Sequence, residues 1–172
     1  MIDMPLPHPG NFHLQAALGW MDLGDLVEAR RELDQIAPAQ REHPDVLEVA
    51  WRLCGEEKDW SAAWSVAEKL VTIAPARLNG WIDRSYSLHE LHRTEEAFER
   101  LVPAAEKFPD EFVIPYNLAC YQCRLGHPEE ALRWLDRAVA VSDRETIRTM
   151  AAQDPDFEVM RAQIKELLGG KG

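Results

Sequence analysis

The sequence has few cysteines and no long apolar stretch, and each shortage argues against a class of protein. Its 172 residues include three cysteines, an odd number, whereas the disulfide framework of a small secreted domain is built from several pairs. No segment approaches the roughly 18 consecutive apolar residues of a membrane-spanning helix. The start, MIDMPLPHPGNFH, carries acid and proline instead of basic residues followed by an apolar core, so we expect no secretory signal. These features predict a cytoplasmic protein.

Basic residues are also scarce. Nineteen lysines and arginines stand against thirty aspartates and glutamates, which gives a net charge of -11. Proteins that bind nucleic acid without regard to sequence neutralise its phosphates with lysine and arginine. The acidic balance therefore predicts that neither nucleic acid nor an anionic membrane surface is a partner, and it favours basic or apolar protein segments.

Motifs of catalysis are missing. The sequence contains no glycine-rich phosphate loop, no G-x-S-x-G elbow and no H-E-x-x-H pair, which are the patterns that place a nucleophile, a phosphate or a zinc ion. The carboxylate pairs Glu56-Glu57 and Glu129-Glu130 stand at predicted helix ends, where solvation and the helix dipole explain them. We therefore predict a protein that is not an enzyme and needs no cofactor.

What the sequence does contain is a period of 34 residues. An alanine recurs at this interval, with a leucine or alanine four places later and a turn residue five places earlier. The alanines are Ala29, Ala63, Ala97 and Ala131, the later residues are Leu33, Ala67, Leu101 and Leu135, and the turn residues are Gly24, Lys58, His92 and Gly126. Such a period predicts a stack of similar supersecondary units.

Each unit is predicted to be a pair of helices. In the fourth unit, one apolar stripe appears at about 100° per residue, and its members are Ile114, Leu118, Tyr121 and Leu125. Gly126 then ends the first helix and Pro128 begins the second, as glycine and proline commonly do. Asp25 and Thr94 are predicted N-caps in other units. No β-pattern appears, so the predicted fold is all-α.

A 34-residue helix–turn–helix period with these residues resembles the tetratricopeptide repeat. The consensus W-x2-L-G-x2-Y…A-x3-F…P is matched best in the third unit, by Trp81, Leu88, Ala97, Leu101, Ala104 and Pro109. The resemblance implies a right-handed α-solenoid of helical hairpins with C-terminal capping helices. The predicted division is an extended segment 1–9, hairpins 10–43, 44–77, 78–111 and 112–143, and a capping segment with a short tail in 144–172.

The second unit departs from the family pattern. Trp51 falls where the family has a small residue that lets the paired helices approach. Either Ala50 takes that place through a slip of one residue, or the hairpin is splayed locally.

Two further helices are predicted after the fourth unit, in 145–152 and 156–168, with the sequence DPD between them. We expect Asp154 and Asp156 to have a turn role there. A terminal repeat has to cover its exposed apolar face, and a stripe in the second helix is suited to that. Its members are Phe157, Met160, Ile164 and Leu168.

The resemblance also implies a concave groove, lined by the first helix of each hairpin and suited to an extended or helical peptide. The residues at the groove positions are Leu14, Leu18, Met21, Glu48, Arg52, Ile82, Asp83, Tyr86, His89, Tyr116, Asn117 and Cys120. The predicted function is accordingly that of a non-enzymatic scaffold, which binds a peptide or protein segment in this groove.

Family members that hold the C-terminal carboxylate of heat-shock chaperones do so with lysine, asparagine and arginine in the groove. Asn117 matches one such position, but the lysines are missing and Glu48 and Asp83 stand nearby. We therefore do not expect an acidic peptide tail as the ligand.

Cys120 and Cys123 form the pattern C-x-x-C and are candidates for a metal site. They lie three apart on one predicted helix, and His89 is predicted on the groove flank of the preceding first helix. Zinc takes four protein ligands in a structural site and three in a catalytic one. One unpaired C-x-x-C is a weak signal, so lining of the groove is favoured, and a metal-dependent function at these three residues stays as an alternative.

Two further functions are compatible with the same repeat. One is that of a dedicated chaperone, because the chaperones of type III secretion translocators resemble this chain in being short, acidic tetratricopeptide proteins. The second is that of a self-assembling structural subunit, in which homo-oligomers form through an exposed patch of Trp60 and Trp64 or through an uncapped end of the stack.

Overall fold

The computed structural model describes residues 4–168, which form helices and no strand, as the sequence predicts. The α-helices are α1 (Gly10–Asp22), α2 (Leu26–Gln35), α3 (Pro44–Glu56), α4 (Trp60–Ile73), α5 (Leu78–Glu90), α6 (Thr94–Leu101), α7 (Ala104–Lys107), α8 (Val113–Arg124), α9 (Pro128–Ala140), α10 (Arg144–Gln153) and α11 (Arg161–Leu168). Two 3₁₀ helices cover Pro38–Gln40 and Pro155–Met160. None of the helices in the described range is long and apolar enough to cross a membrane.

The 34-residue period is visible in the backbone. All four predicted turn residues have positive φ: Gly24 at +79°, Lys58 at +58°, His92 at +60° and Gly126 at +81°. Each ends the first helix of a pair by a left-handed turn, which glycine adopts freely and which costs other residues about 1–2 kcal/mol. The N-cap of the following helix comes directly after each turn, at Asp25, Asp59, Arg93 and His127.

The same period is visible in the packing. The four periodic alanines, Ala29, Ala63, Ala97 and Ala131, are all fully buried, at 0% exposure. A second buried series in the same register lies in the first helices, at Ala17, Ser85 and Ala119. Small residues at both places let the helices of a pair approach, and α1 packs on α2, α3 on α4 and α8 on α9.

The chain forms two compact units, one up to Ser87 and one from Leu88 onward, which we call the N-terminal and C-terminal units. One buried cluster of the N-terminal unit is built by α1, α2 and α3, and Leu6, which precedes α1, is buried in it. In the C-terminal unit, α6, α7, α9 and the second 3₁₀ helix all pack on α8. The hairpin boundaries at 43, 77, 111 and 143 stay a prediction.

The segment after α9 differs in part from the prediction. The helix expected at 145–152 is present as α10, but 156–168 begins as the 3₁₀ helix and becomes α-helical only at Arg161. Pro155 stands in the first turn of the 3₁₀ helix, and the carboxylate of Asp154 accepts a hydrogen bond of 2.9 Å from the backbone N–H of Asp156. Phe157, Met160 and Ile164 are buried, while the side chain of Leu168 lies outside the described residues.

Two local expectations are settled by the environments of single side chains. Thr94 is wrong as an N-cap, because Arg93 has that place and the Thr94 hydroxyl is hydrogen-bonded to Nδ1 of His89 at 3.0 Å. The exposed patch of Trp60 and Trp64 is also wrong, because both side chains are half-buried. In the second unit, Ala50 is partly buried against the core, and the choice between the one-residue slip and local splaying stays a prediction.

Candidate functional site

One face of α3 and α5 carries a mixed polar and aromatic surface in the N-terminal unit, which we call the α3–α5 surface. It consists of Glu48, Trp51, Arg52, Asp83 and Tyr86. The spacing of three and four residues along each helix places these side chains on a common side. Two acids, one base and two aromatic rings thus come together on two neighbouring first helices.

A hydrogen-bond chain fixes the position of Trp51. Its indole Nε1–H donates to the hydroxyl of Ser87 on α5 at 2.9 Å. That hydroxyl in turn donates to the backbone carbonyl of Asp83 at 2.7 Å. The tryptophan that replaces the small residue of the family therefore spans from α3 to α5, and it remains half-buried.

Tyr86 is the exposed aromatic ring of this surface, with 39% of its area accessible. It packs edge-to-face on Trp51, with ring centroids 6.5 Å apart, and on Trp60, at 5.5 Å. Edge-to-face pairs at these separations are favourable beyond the area they bury. The ring is thus held in place by two half-buried indoles while one side stays open to solvent.

The carboxyl group of Asp83 is in an unfavourable place for a charge. Burial, and secondly the negative charge of Glu48, raise its pKa to about 8. Within residues 4–168 this carboxylate makes no hydrogen bond and no ion pair, whereas Glu48 is paired with Arg77 at 3.3 Å. Arg52 is paired with Asp22 at 3.0 Å. Asp83 is therefore the acid on this surface whose charge is not compensated within the described chain.

The other predicted groove residues of the N-terminal unit are less accessible. Leu14 and Met21 are buried at 5% and 6% exposure, and Leu18 packs against the same core. Ile82 is half-buried beside Asp83 on α5. The open part of the predicted groove in this unit is accordingly the α3–α5 surface.

In the C-terminal unit, the segment after α10 packs on α8. The carboxylate oxygen Oδ2 of Asp154 accepts hydrogen bonds from the Tyr116 hydroxyl at 2.9 Å and from the Cys120 thiol, with an S–O distance of 3.4 Å. The ring of Phe157, which is fully buried, meets Tyr116 edge-to-face at 5.6 Å. Tyr116 and Cys120 are therefore covered by the chain itself, at 4% exposure each.

A second aspartate of this segment reaches the end of α5. Oδ2 of Asp156 lies 3.2 Å from Nε2 of His89, and Oδ1 lies 3.6 Å from Nε of Arg124. The imidazole ring also lies over Tyr121, with centroids 5.0 Å apart. Sequence reasoning assigned the two aspartates a turn role and missed these contacts, because no local pattern shows that the segment returns to α8. Asn117, also on α8, is half-buried.

The candidate metal ligands are arranged differently from the sequence prediction. The thiol of Cys120 and carboxylate oxygens of Asp154 and Asp156 lie within 4.8 Å of one another, while His89 contacts Asp156. Burial and the two carboxylates raise the pKa of Cys120 well above its usual value, and burial raises that of Cys123. A protonated thiol that donates to a carboxylate stabilises this arrangement without an ion, and a metal ion would have to displace that proton.

No protein-family model and no curated protein matches the sequence. Solved structures do match it. MamA from Desulfovibrio magneticus RS-1, from residue 41 to its end, is 15% identical with a TM-score of 0.73, covering 96% of this chain and 94% of that one. TTC0263, described as a thermophilic TPR protein in Thermus thermophilus, is 19% identical with a TM-score of 0.71, covering 92% and 87%. Similarity at these identities shows the fold alone.

Proposed function

We propose that this chain, which has the α-solenoid fold of tetratricopeptide-repeat proteins, is a non-enzymatic scaffold that binds a peptide or protein segment. The observation that carries the proposal is the α3–α5 surface. There the exposed ring of Tyr86 is held between two indoles and flanked by charged groups. Aromatic anchors of this kind commonly contribute most of the free energy of a protein interface.

Of the two units, the N-terminal one offers the more accessible predicted groove residues, so we assign the binding surface to it. Its α3–α5 surface is open, and Glu48, Arg52, Asp83 and Tyr86 are all predicted groove residues. In the C-terminal unit, Tyr116 and Cys120 already hold residues 154–157 of the same chain. The net charge of -11 favours basic or apolar partner segments. A chaperone role like that of type III secretion chaperones is an alternative, supported by the size of the chain and its repeat type.

The test is a co-purification experiment with matched variants. Proteins retained by the parent chain are compared with those retained by Tyr86→Ala and by a control, Val159→Ala, which removes an exposed apolar group from the second 3₁₀ helix. We expect Tyr86→Ala to lose the partners that the parent and the control retain, with the helix content of all three unchanged by circular dichroism. If Tyr86→Ala retains every partner of the parent, the assignment of the surface is wrong.

Self-assembly is a second candidate, favoured by one observation. At the start of the N-terminal unit, Phe12, Leu23 and Val27 are 63%, 77% and 71% exposed, which suits an uncapped end of a stack. Light scattering over a range of protein concentrations tests this candidate. A strict monomer throughout that range excludes it, whereas a mass that rises with concentration in the parent and not in Leu23→Ser supports it.

A further inference from the structure

We propose that the α3–α5 surface takes a lysine or arginine side chain of the bound segment. The cationic head lies beside the carboxylates of Asp83 and Glu48, and the aliphatic stem lies against Tyr86 and Trp51. The inference rests on the proposed function, because it names the partner chemistry that this surface selects.

The carboxyl group of Asp83, which is half-buried and pairs with no group in the described chain, is the first support. A half-buried carboxylate loses part of its hydration, and within the described chain no hydrogen bond or ion pair replaces what is lost. Glu48, the acid that acts on it, raises the free energy of its ionised form further. A cation from a partner would compensate Asp83, whereas an acidic ligand would add a further negative charge.

The arginines nearby do not pair with Asp83, since each one is paired with a different acid. Arg77 is paired with Asp45 and Glu48, at 2.7 and 3.3 Å. On α5 itself, Arg84 is paired with Glu68 at 3.1 Å and lies over the ring of Trp81. The remaining one, Arg52 on α3, is paired with Asp22 at 3.0 Å.

The aromatic side chains distinguish this site from a simple acidic patch. Lysine and arginine carry apolar stems that cover apolar surface while the charge stays at a polar place. A cation over an aromatic face gains about 0.5–2 kcal/mol, depending on its desolvation. Tyr86 offers an accessible ring, and Trp51 is fixed beside it by its bond to Ser87. This pairing fits an organic cation with a stem better than a hydrated metal ion.

Binding of a cation should be linked to the release of a proton. Because the pKa of Asp83 is raised to about 8, its carboxyl is mostly protonated at neutral pH, and a bound cation favours the ionised form. Affinity should therefore rise as the pH increases toward about 8 and level off above it, by at most about tenfold per pH unit. Glu48 on α3 is the charged group that acts on Asp83, and it is itself paired with Arg77, which directly precedes α5.

Small probes test the inference without the natural partner. The full chain, labelled with ¹⁵N, is titrated with the capped tripeptides Ala-Arg-Ala, Ala-Lys-Ala, Ala-norleucine-Ala and Ala-Glu-Ala. The indole N–H signal of Trp51 is the reporter, assigned by its loss in Trp51→Phe. We expect the arginine and lysine peptides to shift this signal with saturation, and the norleucine and glutamate peptides to bind at least tenfold more weakly.

Two variants complete the design. Asp83→Asn should weaken binding of the arginine peptide at pH 8.5 at least fivefold and abolish its pH dependence, while Asp136→Asn, which removes an exposed charge from α9, should change neither. Equal binding of norleucine and arginine peptides, or unchanged binding by Asp83→Asn, overturns the inference. Loss of partners in Tyr86→Ala together with either of those results leaves the proposed function standing, so the two failures are distinguishable.

Discussion

The hydroxyl of Tyr116 donates a hydrogen bond of 2.9 Å to the carboxylate of Asp154, which lies 38 residues further along the chain. This bond joins α8 to the segment that follows α10. Together with the edge-to-face contact of Phe157 on the same tyrosine ring, it holds the end of the described chain against α8.

Removing the hydroxyl of Tyr116 should destabilise the protein, although Asp154 keeps a second hydrogen-bond donor. Hydrogen bonds to charged groups contribute about 1.5–3 kcal/mol, and the Cys120 thiol remains as a donor to Asp154 in the variant Tyr116→Phe. We therefore expect its free energy of unfolding to fall by about 1–2 kcal/mol, measured in urea. Asp136→Asn, which changes an exposed side chain on α9, is the control, and an equal effect of both changes would contradict a special contribution of the Tyr116 hydroxyl.

The left-handed turns at Lys58 and His92 should be improved by glycine. Both residues are exposed and have φ near +60°, so the substitution relieves backbone strain and removes no buried contact. Lys58→Gly and His92→Gly should each raise the free energy of unfolding by about 0.5–1 kcal/mol, and Gly24→Ala should lower it by about 1 kcal/mol. Thermal unfolding of the three variants measures this, and a loss of stability in both glycine variants would contradict the turn assignment.

Asp83 should make the folded state less stable as the pH rises. Its folded pKa, about 8, lies above the value of about 3.9 in an unfolded chain, so the folded state holds the proton more tightly. The raised pKa of Asp83 therefore has no effect on the free energy of unfolding below about pH 4, and it lowers that free energy progressively between about pH 4 and pH 8. Asp83→Asn should remove this loss, so that its free energy of unfolding at pH 8 exceeds that of the parent by about 1–2 kcal/mol. This is less than the whole pKa shift would give, because the side chain is only half-buried and solvent screens part of the effect.

Urea unfolding of parent and Asp83→Asn between pH 5 and 8 gives the comparison, with Asp136→Asn as the control for net charge. The difference between parent and variant should grow with pH. Two parallel curves would show that the carboxyl of Asp83 titrates normally in the folded protein.

The Cys120 cluster should not require a metal. Its thiol is held in the protonated form by burial and by two carboxylates, and those carboxylates already accept hydrogen bonds or ion pairs from side chains. We expect elemental analysis of the purified protein to give far less than one zinc per chain, and dialysis against a chelator to leave the thermal unfolding temperature unchanged. A ratio near one would instead favour the metal-dependent function.

Much of the fold was predictable because its determinants repeat along the sequence. The four alanines at 0% exposure and the four turn residues with positive φ stand 34 residues apart. A small side chain at a close helix contact and a left-handed turn each impose a local requirement. Repetition of such requirements is visible in a single sequence.

The rest depends on contacts that no local pattern encodes. Nothing near Asp154 or Asp156 indicates that these residues lie on Tyr116, Cys120 and His89. The contact of Trp51 with α5 could not be predicted from the sequence either. Its position in the repeat predicts a small residue, and only the structure shows that its indole reaches Ser87 and helps to build the α3–α5 surface.

Binding at the α3–α5 surface is tested most directly by a chemical-shift map of the ¹⁵N-labelled protein, recorded with a purified fragment of a partner that the parent chain retains. We predict that the largest changes fall on Glu48, Trp51, Asp83 and Tyr86, and that Tyr86→Ala abolishes them. Changes confined to the exposed end at Phe12, Leu23 and Val27, with the α3–α5 surface unaffected, would contradict this prediction.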